Sequence, residues 1–268
     1  MKYGFIGCGN MGGAVARAVC KGAGAGDVLL ANRTPAKAQA LAEELGCACG
    51  TNEEVASICD FIFLGVKPQT MAQMLLPLQP ILTGRRTPFV LVSMAAGVTI
   101  EALQDMAGGR YPVVRIMPNT ACAVGAGMTT YTCSAEVTDR QRQAVLDALA
   151  ASGLLEEIEE GLMGAASAVA GCGGAYACLF LEGLADGGVL CGLPRKKAQR
   201  MAAQMLLGMA TQALESDEHT GTLKDAVCSP AGSTIAGIRK LESMSFRSAA
   251  MEAVIAAWER EREMQQQK

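Results

Sequence analysis

Residues 6 to 12 read Ile6-Gly7-Cys8-Gly9-Asn10-Met11-Gly12, a Gly-x-Gly-x-x-Gly spacing directly after an apolar run and at the head of a helical pattern. In that setting the glycines permit a tight turn and let a pyrophosphate approach backbone N–H groups at a helix N-terminus. The spacing alone occurs in many turns without a ligand; its place in the first strand-helix unit is what points to a dinucleotide. The second apolar run ends in Ala31-Asn32-Arg33-Thr34, with no carboxylate of the kind that pairs with the ribose 2′-hydroxyl of NAD. Arg33 offers a planar fork of donors to a 2′-phosphate, and Asn32 and Thr34 offer neutral hydrogen bonds, so NADPH is expected in preference to NADH. The bland alternative for Arg33 is a solvated side chain beside a helix start.

Two further loops stand where ligands gather, at the carboxyl ends of strands: Gly65-Val66-Lys67-Pro68 and Ser93-Met94-Ala95-Ala96-Gly97. Small residues there let a nicotinamide ring lie close to the backbone. Lys67 stays open between a ligand contact and a solvated side chain ahead of a proline turn. Asn52 stays open between an adenosine-ribose contact and an ordinary helix N-cap before Glu53-Glu54.

The elements that must position these loops follow from periodicity. Lys2 to Ile6, Val28 to Ala31, Phe61 to Leu64, Phe89 to Ser93 and Val113 to Ile116 predict strands; Met11 to Cys20, Pro35 to Glu44, Gln69 to Leu78 and Thr99 to Met106 predict helices. Near-continuous apolar strands are buried on both faces, so the expected fold is α/β, a doubly wound, mainly parallel sheet of Rossmann type. Beyond about residue 160 the strand pattern stops. Helices broken at Gly192-Leu193-Pro194, at Thr220-Gly221 and at Ser229-Pro230-Ala231-Gly232 predict an all-α second domain. The expected division is 1–160 for the dinucleotide and 161–268 for dimerisation and substrate.

Composition excludes several classes. A net charge of -3 with no basic stripe argues against nucleic acid. The 11 cysteines form no CxxC, their number is odd, and the chain opens directly on a strand, which together point to a reducing cytoplasm rather than a disulfide framework. His219 has no cysteine cluster at ligand spacing, so no metal is expected. The uncharged stretch from Gly161 to Leu181 approaches the length of a membrane span. Its glycines and its acidic flanks, Glu159, Glu160, Glu182 and Asp186, favour a helix buried between two copies instead. No membrane partner is expected; a homodimer, or a higher oligomer of dimers, is.

Taken together these residues resemble the pyrroline-5-carboxylate reductase family over almost the whole chain. The N-terminal motifs recur in related β-hydroxyacid dehydrogenases and imine reductases. The C-terminal run Leu223-Lys224-Asp225-Ala226-Val227-Cys228-Ser229-Pro230-Ala231-Gly232-Ser233-Thr234-Ile235-Ala236-Gly237-Ile238 is similar to the family's signature loop and helix, and Arg115-Ile116-Met117-Pro118-Asn119-Thr120 matches a second family segment. Gly174, Ala226 and Ala231 stand where the family usually has proline, asparagine and glycine. The resemblance implies NADPH-dependent reduction of the cyclic imine of 1-pyrroline-5-carboxylate to L-proline, the last step of proline biosynthesis. It assigns Thr234 to the imine nitrogen and Asp217 to the vicinity of the substrate. The N–H groups of Ala231, Gly232, Ser233 and Thr234 at a helix start would hold the carboxylate, with the hydroxyl of Ser229 added. For Thr234 the competing role is a backbone-satisfying residue of the helix start; for Asp217 it is a solvated acid. Another NADPH-dependent imine reductase, a β-hydroxyacid dehydrogenase, or a non-catalytic NADP-binding sensor are the alternatives.

Overall fold

A computed structural model describes residues 1–266. Eight strands, β1 (Tyr3–Ile6), β2 (Val28–Ala31), β3 (Ala48–Cys49), β4 (Phe61–Leu64), β5 (Val90–Ser93), β6 (Val113–Met117), β7 (Gly127–Cys133) and β8 (Gly153–Glu157), form one sheet in the order β3-β2-β1-β4-β5-β6-β7-β8. All neighbours run parallel except β6 and β7. The first six strands have the order of a doubly wound dinucleotide fold, with the reversal of strand order between β1 and β4. The connecting helices are α1 (Asn10–Ala23), α2 (Pro35–Leu45), α3 (Asn52–Ile58), α4 (Pro68–Leu75), α5 (Gln79–Gly84), α6 (Ile100–Ala107) and α7 (Asp139–Leu149).

The apolar strands sort their side chains by parity. Phe5, Phe63, Val92 and Val114 point to one layer with Val15, Val19 and Val145 of the helices. Ile6, Ile62, Leu64 and Leu91 point to the other with Met71, Leu75 and Leu103. Phe5 and Phe63 stack across β1 and β4 with ring centroids 4.5 Å apart. Three strands lie beyond the predicted set: β3, of two residues only, β7 and β8. β7 carries Thr129, Thr130 and Thr132 among its apolar residues, and β8 is an edge strand with two glutamates, so neither presents an unbroken apolar run.

The remainder is helical: α8 (Met163–Ala166), a π turn (Ser167–Gly171), α9 (Gly173–Leu190), α10 (Arg195–Glu215), α11 (Thr220–Ala226), α12 (Ser233–Ser243) and α13 (Phe246–Gln266). The chain forms two compact units, one of Met1–Cys172 with the segment from Ala257 onward, the other Gly173–Ala256. The expected boundary at residue 160 falls inside the first unit. The predicted break at Gly192-Leu193-Pro194 is the gap between α9 and α10, with Gly192 at φ 96°. That at Thr220-Gly221 lies slightly late, because His219 caps α11 through its Nδ1, which accepts from the Gly221 N–H at 3.0 Å. Within the second unit Tyr176 donates to the Ala253 carbonyl and Phe180 packs on Phe246.

The stretch Glu160–Leu190 is, by length and composition, apolar enough to cross a membrane, with a mean hydropathy of 1.5 and 11% of its window buried. Leu179 is 71% exposed and Leu190 is 90% exposed in a single copy.

The loop between β1 and α1 generates a contrast that stability measurements can read. A Cβ on Gly12 would lie 2.0 Å from the Gly7 carbonyl oxygen, whereas one on Gly9 would meet nothing within 4 Å. Gly9 also sits at φ -75°, open to any L-residue. Gly12→Ala should therefore lower stability by about 2 kcal/mol or more, while Gly9→Ala should stay within about 0.5 kcal/mol of the parent. Urea denaturation of both variants checks this.

Candidate active site

At the reversal between β1 and β4 three backbone segments converge. Gly7 adopts φ 103° and donates its N–H to the Ala31 carbonyl at 2.8 Å, and the Gly65 N–H donates to the Ile6 carbonyl at 2.9 Å. Cys8 and Gly9 lead from there into α1, whose N-cap residue, Gly9, supplies no side-chain cap. The first N–H groups of α1, on Asn10, Met11 and Gly12, therefore have no partner within the helix. By contrast α3, α6 and α7 each start on a threonine, Thr51, Thr99 and Thr138, whose hydroxyl accepts from the third N–H. An uncapped N-terminus beside an open Gly9 is a cradle that fits a pyrophosphate.

Asn32, at the end of β2, is placed differently from expectation. Its Oδ1 accepts from the Cys8 N–H at 3.0 Å and its Nδ2 donates to the Thr34 carbonyl at 3.1 Å. The amide is thus committed at both ends, and Asn32 ties the glycine loop to the loop that follows β2 rather than reaching out to a phosphate. Arg33 and Thr34 are exposed. The Thr34 hydroxyl makes no cap bond to α2, so it and the Arg33 guanidinium stand available to an anion. Cys8 is no nucleophile: burial foremost pushes its thiol up to about 12.

The cap of α3 is Thr51, in a reciprocal pair with Glu54, so Asn52 is the first helical residue and the cap alternative for it is corrected. Its amide makes no bond among the described residues. Lys67 caps α4 with its backbone alone, its carbonyl accepting from the Thr70 N–H and hydroxyl at 3.0 Å each. The ammonium is exposed and the fixed element is the Lys67-Pro68 turn. After β5, Met94 and Ala95 are buried and Ala96 is half-buried, in a turn closed by Val98 N–H to Ala95 carbonyl at 3.4 Å, with Gly97 at φ 69°. Ile6, Gly7, Gly9, Gly12, Gly65, Val66 and this turn thus all belong to the carboxyl ends of β1, β4 and β5.

In the second unit, Ser229 to Gly232 form a tight turn ahead of α12. The Gly232 N–H donates to the Ser229 carbonyl at 3.0 Å, which corrects the expectation that all four N–H groups face a carboxylate. Those of Ala231, Ser233 and Thr234 remain without a partner among the described residues. Ala231 lies at φ 56°, and a Cβ on Gly232 would meet Ser229 Oγ at 2.4 Å. Gly232 is the N-cap of α12 and gives no side-chain bond; the Thr234 hydroxyl satisfies no backbone group either and is exposed, as is that of Ser229. Asp217 lies exposed between α10 and α11. Among the described residues no group of three or more His, Cys, Asp or Glu could hold a metal.

One charged cluster of the first unit received no role from the sequence, although Arg115 and Asn119 stand in a family-like segment. Arg115, buried in β6, pairs with Glu160 at 3.2 Å, and Glu160 also accepts the Ile100 N–H at 2.7 Å. Asn119, just after β6, donates to the Ala170 carbonyl at 3.1 Å. An arginine in the middle of an apolar strand is the signal that marks this place.

Comparison with known proteins places the chain. Residues 160–264 match the family model described as pyrroline-5-carboxylate reductase dimerisation, and residues 2–97 match that of NADP oxidoreductase, coenzyme F420-dependent. Pyrroline-5-carboxylate reductase of Escherichia coli (strain K12) is 39% identical over 262 residues, 97% of this chain and 96% of that one. The enzyme of Pisum sativum is 37% identical over 97% of this chain and 95% of its own. The crystal structure of Plasmodium falciparum pyrroline carboxylate reductase with NADP bound superposes with a TM-score of 0.88 at 32% identity, covering 99% of this chain and 98% of that one. An imine reductase from Pseudomonas sp., at 17% identity and a TM-score of 0.57, shares the fold alone. With an identity of this order along nearly its full length, and a dimerisation segment matching the helical part, the chain belongs to the pyrroline-5-carboxylate reductase family.

Proposed function

We propose that this chain reduces the C=N bond of 1-pyrroline-5-carboxylate to give L-proline, using NADPH in preference to NADH. The observation that carries the reading is a pair of helices, α1 and α12, that begin on glycine without a side-chain cap. Both leave N–H groups free for an anion, a phosphate at one and a carboxylate at the other. The residues of the first unit fit NADPH: the N–H groups of Asn10 to Gly12 face the pyrophosphate, Arg33 and Thr34 the 2′-phosphate, Asn52 the adenosine ribose. Gly65 to Pro68 and Met94 to Ala96 wall the nicotinamide. NADPH, when bound, supplies the hydride.

The chain's own part is to hold and orient the imine. The free N–H groups of Ala231, Ser233 and Thr234, with the Ser229 hydroxyl, bind the carboxylate. The Thr234 hydroxyl bonds the ring nitrogen as its charge changes, and Asp217 favours the protonated imine. Cyclic imines are basic enough for water to supply the proton, so no side-chain acid is assigned. A second copy covers the apolar helices from residue 161 onward, which removes the exposed Leu179 and Leu190 from water. Eleven thiols without a disulfide among the described residues fit a reducing cytoplasm.

Turnover of 1-pyrroline-5-carboxylate with NADPH tests the whole reading, and absence of product would remove it. Arg33→Asp should lower the ratio of kcat/KM for NADPH over NADH by about tenfold or more, the worth of a charged hydrogen bond. Equal kcat/KM for both cofactors in the parent sinks the assignment of Arg33.

Thr234→Ala should lower kcat about ten- to a hundredfold, since the bond it loses strengthens toward the transition state. Melting temperature should stay near the parent's, because the hydroxyl caps nothing, and Thr234→Ser should restore most of the rate. A lowered melting temperature beside an unchanged kcat would assign Thr234 to folding instead.

Sedimentation at nanomolar concentration should find a dimer or a multiple of it. A stable, active monomer counts against the covered helices.

A further inference from the structure

We propose that Asn32 is a positioning residue for cofactor choice: its amide closes a ring around Arg33 and ties that ring to the glycine loop, which couples binding of a 2′-phosphate to binding of a pyrophosphate. The inference rests on reading Arg33 and Thr34 as the 2′-phosphate contacts. The ring follows from printed bonds of the chain itself. Asn32 Nδ2 donates to the Thr34 carbonyl, two residues on, at 3.1 Å, and so encloses the Arg33 peptide. The same carbonyl accepts the Lys37 N–H at 3.0 Å, which joins the ring to the first turn of α2. Both lone pairs of that oxygen are then in use. The Arg33 side chain is exposed and has no protein partner among the described residues, so the ring sets where it leaves the backbone.

At its other end the amide meets the glycine loop. Oδ1 accepts the Cys8 N–H at 3.0 Å, while the carbonyl of the preceding residue, Ala31, accepts the Gly7 N–H at 2.8 Å. Two successive peptides of the loop therefore hang on two successive residues at the end of β2. Cys8 stands two residues ahead of Asn10, whose N–H is the first of those that α1 offers to a pyrophosphate. The amide cannot be turned over, because a peptide N–H is met only by its oxygen and a carbonyl only by its nitrogen. An aspartate at this place would keep the Cys8 bond and lose the one to Thr34; an alanine would lose both. The neutral amide thus does two things for a 2′-phosphate that a carboxylate does not: it brings no negative charge, and it closes the ring that carries Arg33.

Fluorescence titrations of the full chain with NADPH and with NADH test this. Asn32→Ala should raise Kd for NADH about threefold, through the loosened glycine loop, and Kd for NADPH about tenfold, through both loops, each lost bond having the worth of one neutral hydrogen bond. Arg33→Ala should weaken NADPH about tenfold in the parent but only about threefold in the Asn32→Ala background, since an arginine without its ring is no longer held toward the phosphate. Asn32→Asp should recover the NADH affinity that the alanine variant loses, and not the NADPH affinity. Loss confined to NADPH in Asn32→Ala would mean that Asn32 touches the phosphate itself, and equal loss for both cofactors that it serves the glycine loop alone. Either result overturns the proposal, as does an undiminished effect of Arg33→Ala in the double variant. If Asn32→Ala does not fold, Asn32→Asp replaces it, with NADH affinity kept and NADPH affinity lost; loss of both, or of neither, overturns the proposal. The underlying reading fails separately: an Arg33→Ala variant that binds NADPH like the parent removes Arg33 from the phosphate before any change at Asn32 is compared.

Discussion

Everything at the cofactor end depends on three backbones meeting without side chains. A Cβ on Gly12 or on Gly65 would stand 2.0 or 2.4 Å from the same Gly7 carbonyl oxygen, and one on Gly7 would strike the Gly65 carbonyl carbon at 2.7 Å. This mutual contact seats the start of α1 against the ends of β1 and β4, at the point where strand order reverses and a crevice must open. Gly9 then has a different task from its neighbours. It is not needed for packing, since a Cβ there would meet nothing; it leaves the approach to the helix N-terminus clear. One motif thus combines a steric requirement for the fold with an open space for the ligand, and Asn32 braces both by holding the Cys8 N–H.

The helix starts of the two units differ in how their first donors are met. Thr51, Thr99, Thr138 and His219 each satisfy an N-terminal donor of their own helix. Where the chain places Gly9 and Gly232 instead, the donors stay free. A loss of roughly 1 kcal/mol per missing cap is accepted at these two starts. In the second unit the loop ahead of α12 does this with one N–H committed to the turn and three presented.

Those parts of the fold that rest on unbroken apolar runs were legible in the sequence: β2 and β4 match residue for residue, and β1, β5 and β6 differ by one residue at an end. So were the glycine loop and the helix start after Gly232, because both rest on residue types whose backbone consequences are local. What stayed hidden depends on distant partners. Nothing in Asn32 tells whether its amide faces a phosphate or the Cys8 peptide, 24 residues away. In Glu259-Arg260-Glu261-Arg262-Glu263 the alternating charges look uniformly solvated; only the tertiary return of the segment from Ala257 into the first unit singles out Glu261. β7, rich in threonine, pairs between two strands and buries Thr129 and Thr130, an environment that overrides what its composition suggests.

Ala231 shows how a departure from the family's usual residue can be accommodated. At φ 56° a residue with a Cβ pays a strain of about 1 kcal/mol that glycine avoids. Such strain persists only where the surroundings over-determine the conformation, and here they do. Pro230 fixes the residue before it in the turn, the Gly232 N–H closes onto Ser229, and the Ser229 hydroxyl occupies the space a Cβ on Gly232 would need. The left-handed step at Ala231 stands directly ahead of the glycine that caps α12. Alanine in place of glycine also leaves fewer conformations open to the unfolded loop. That entropic gain opposes the strain, so the loop keeps its shape with a methyl group where the family usually has none.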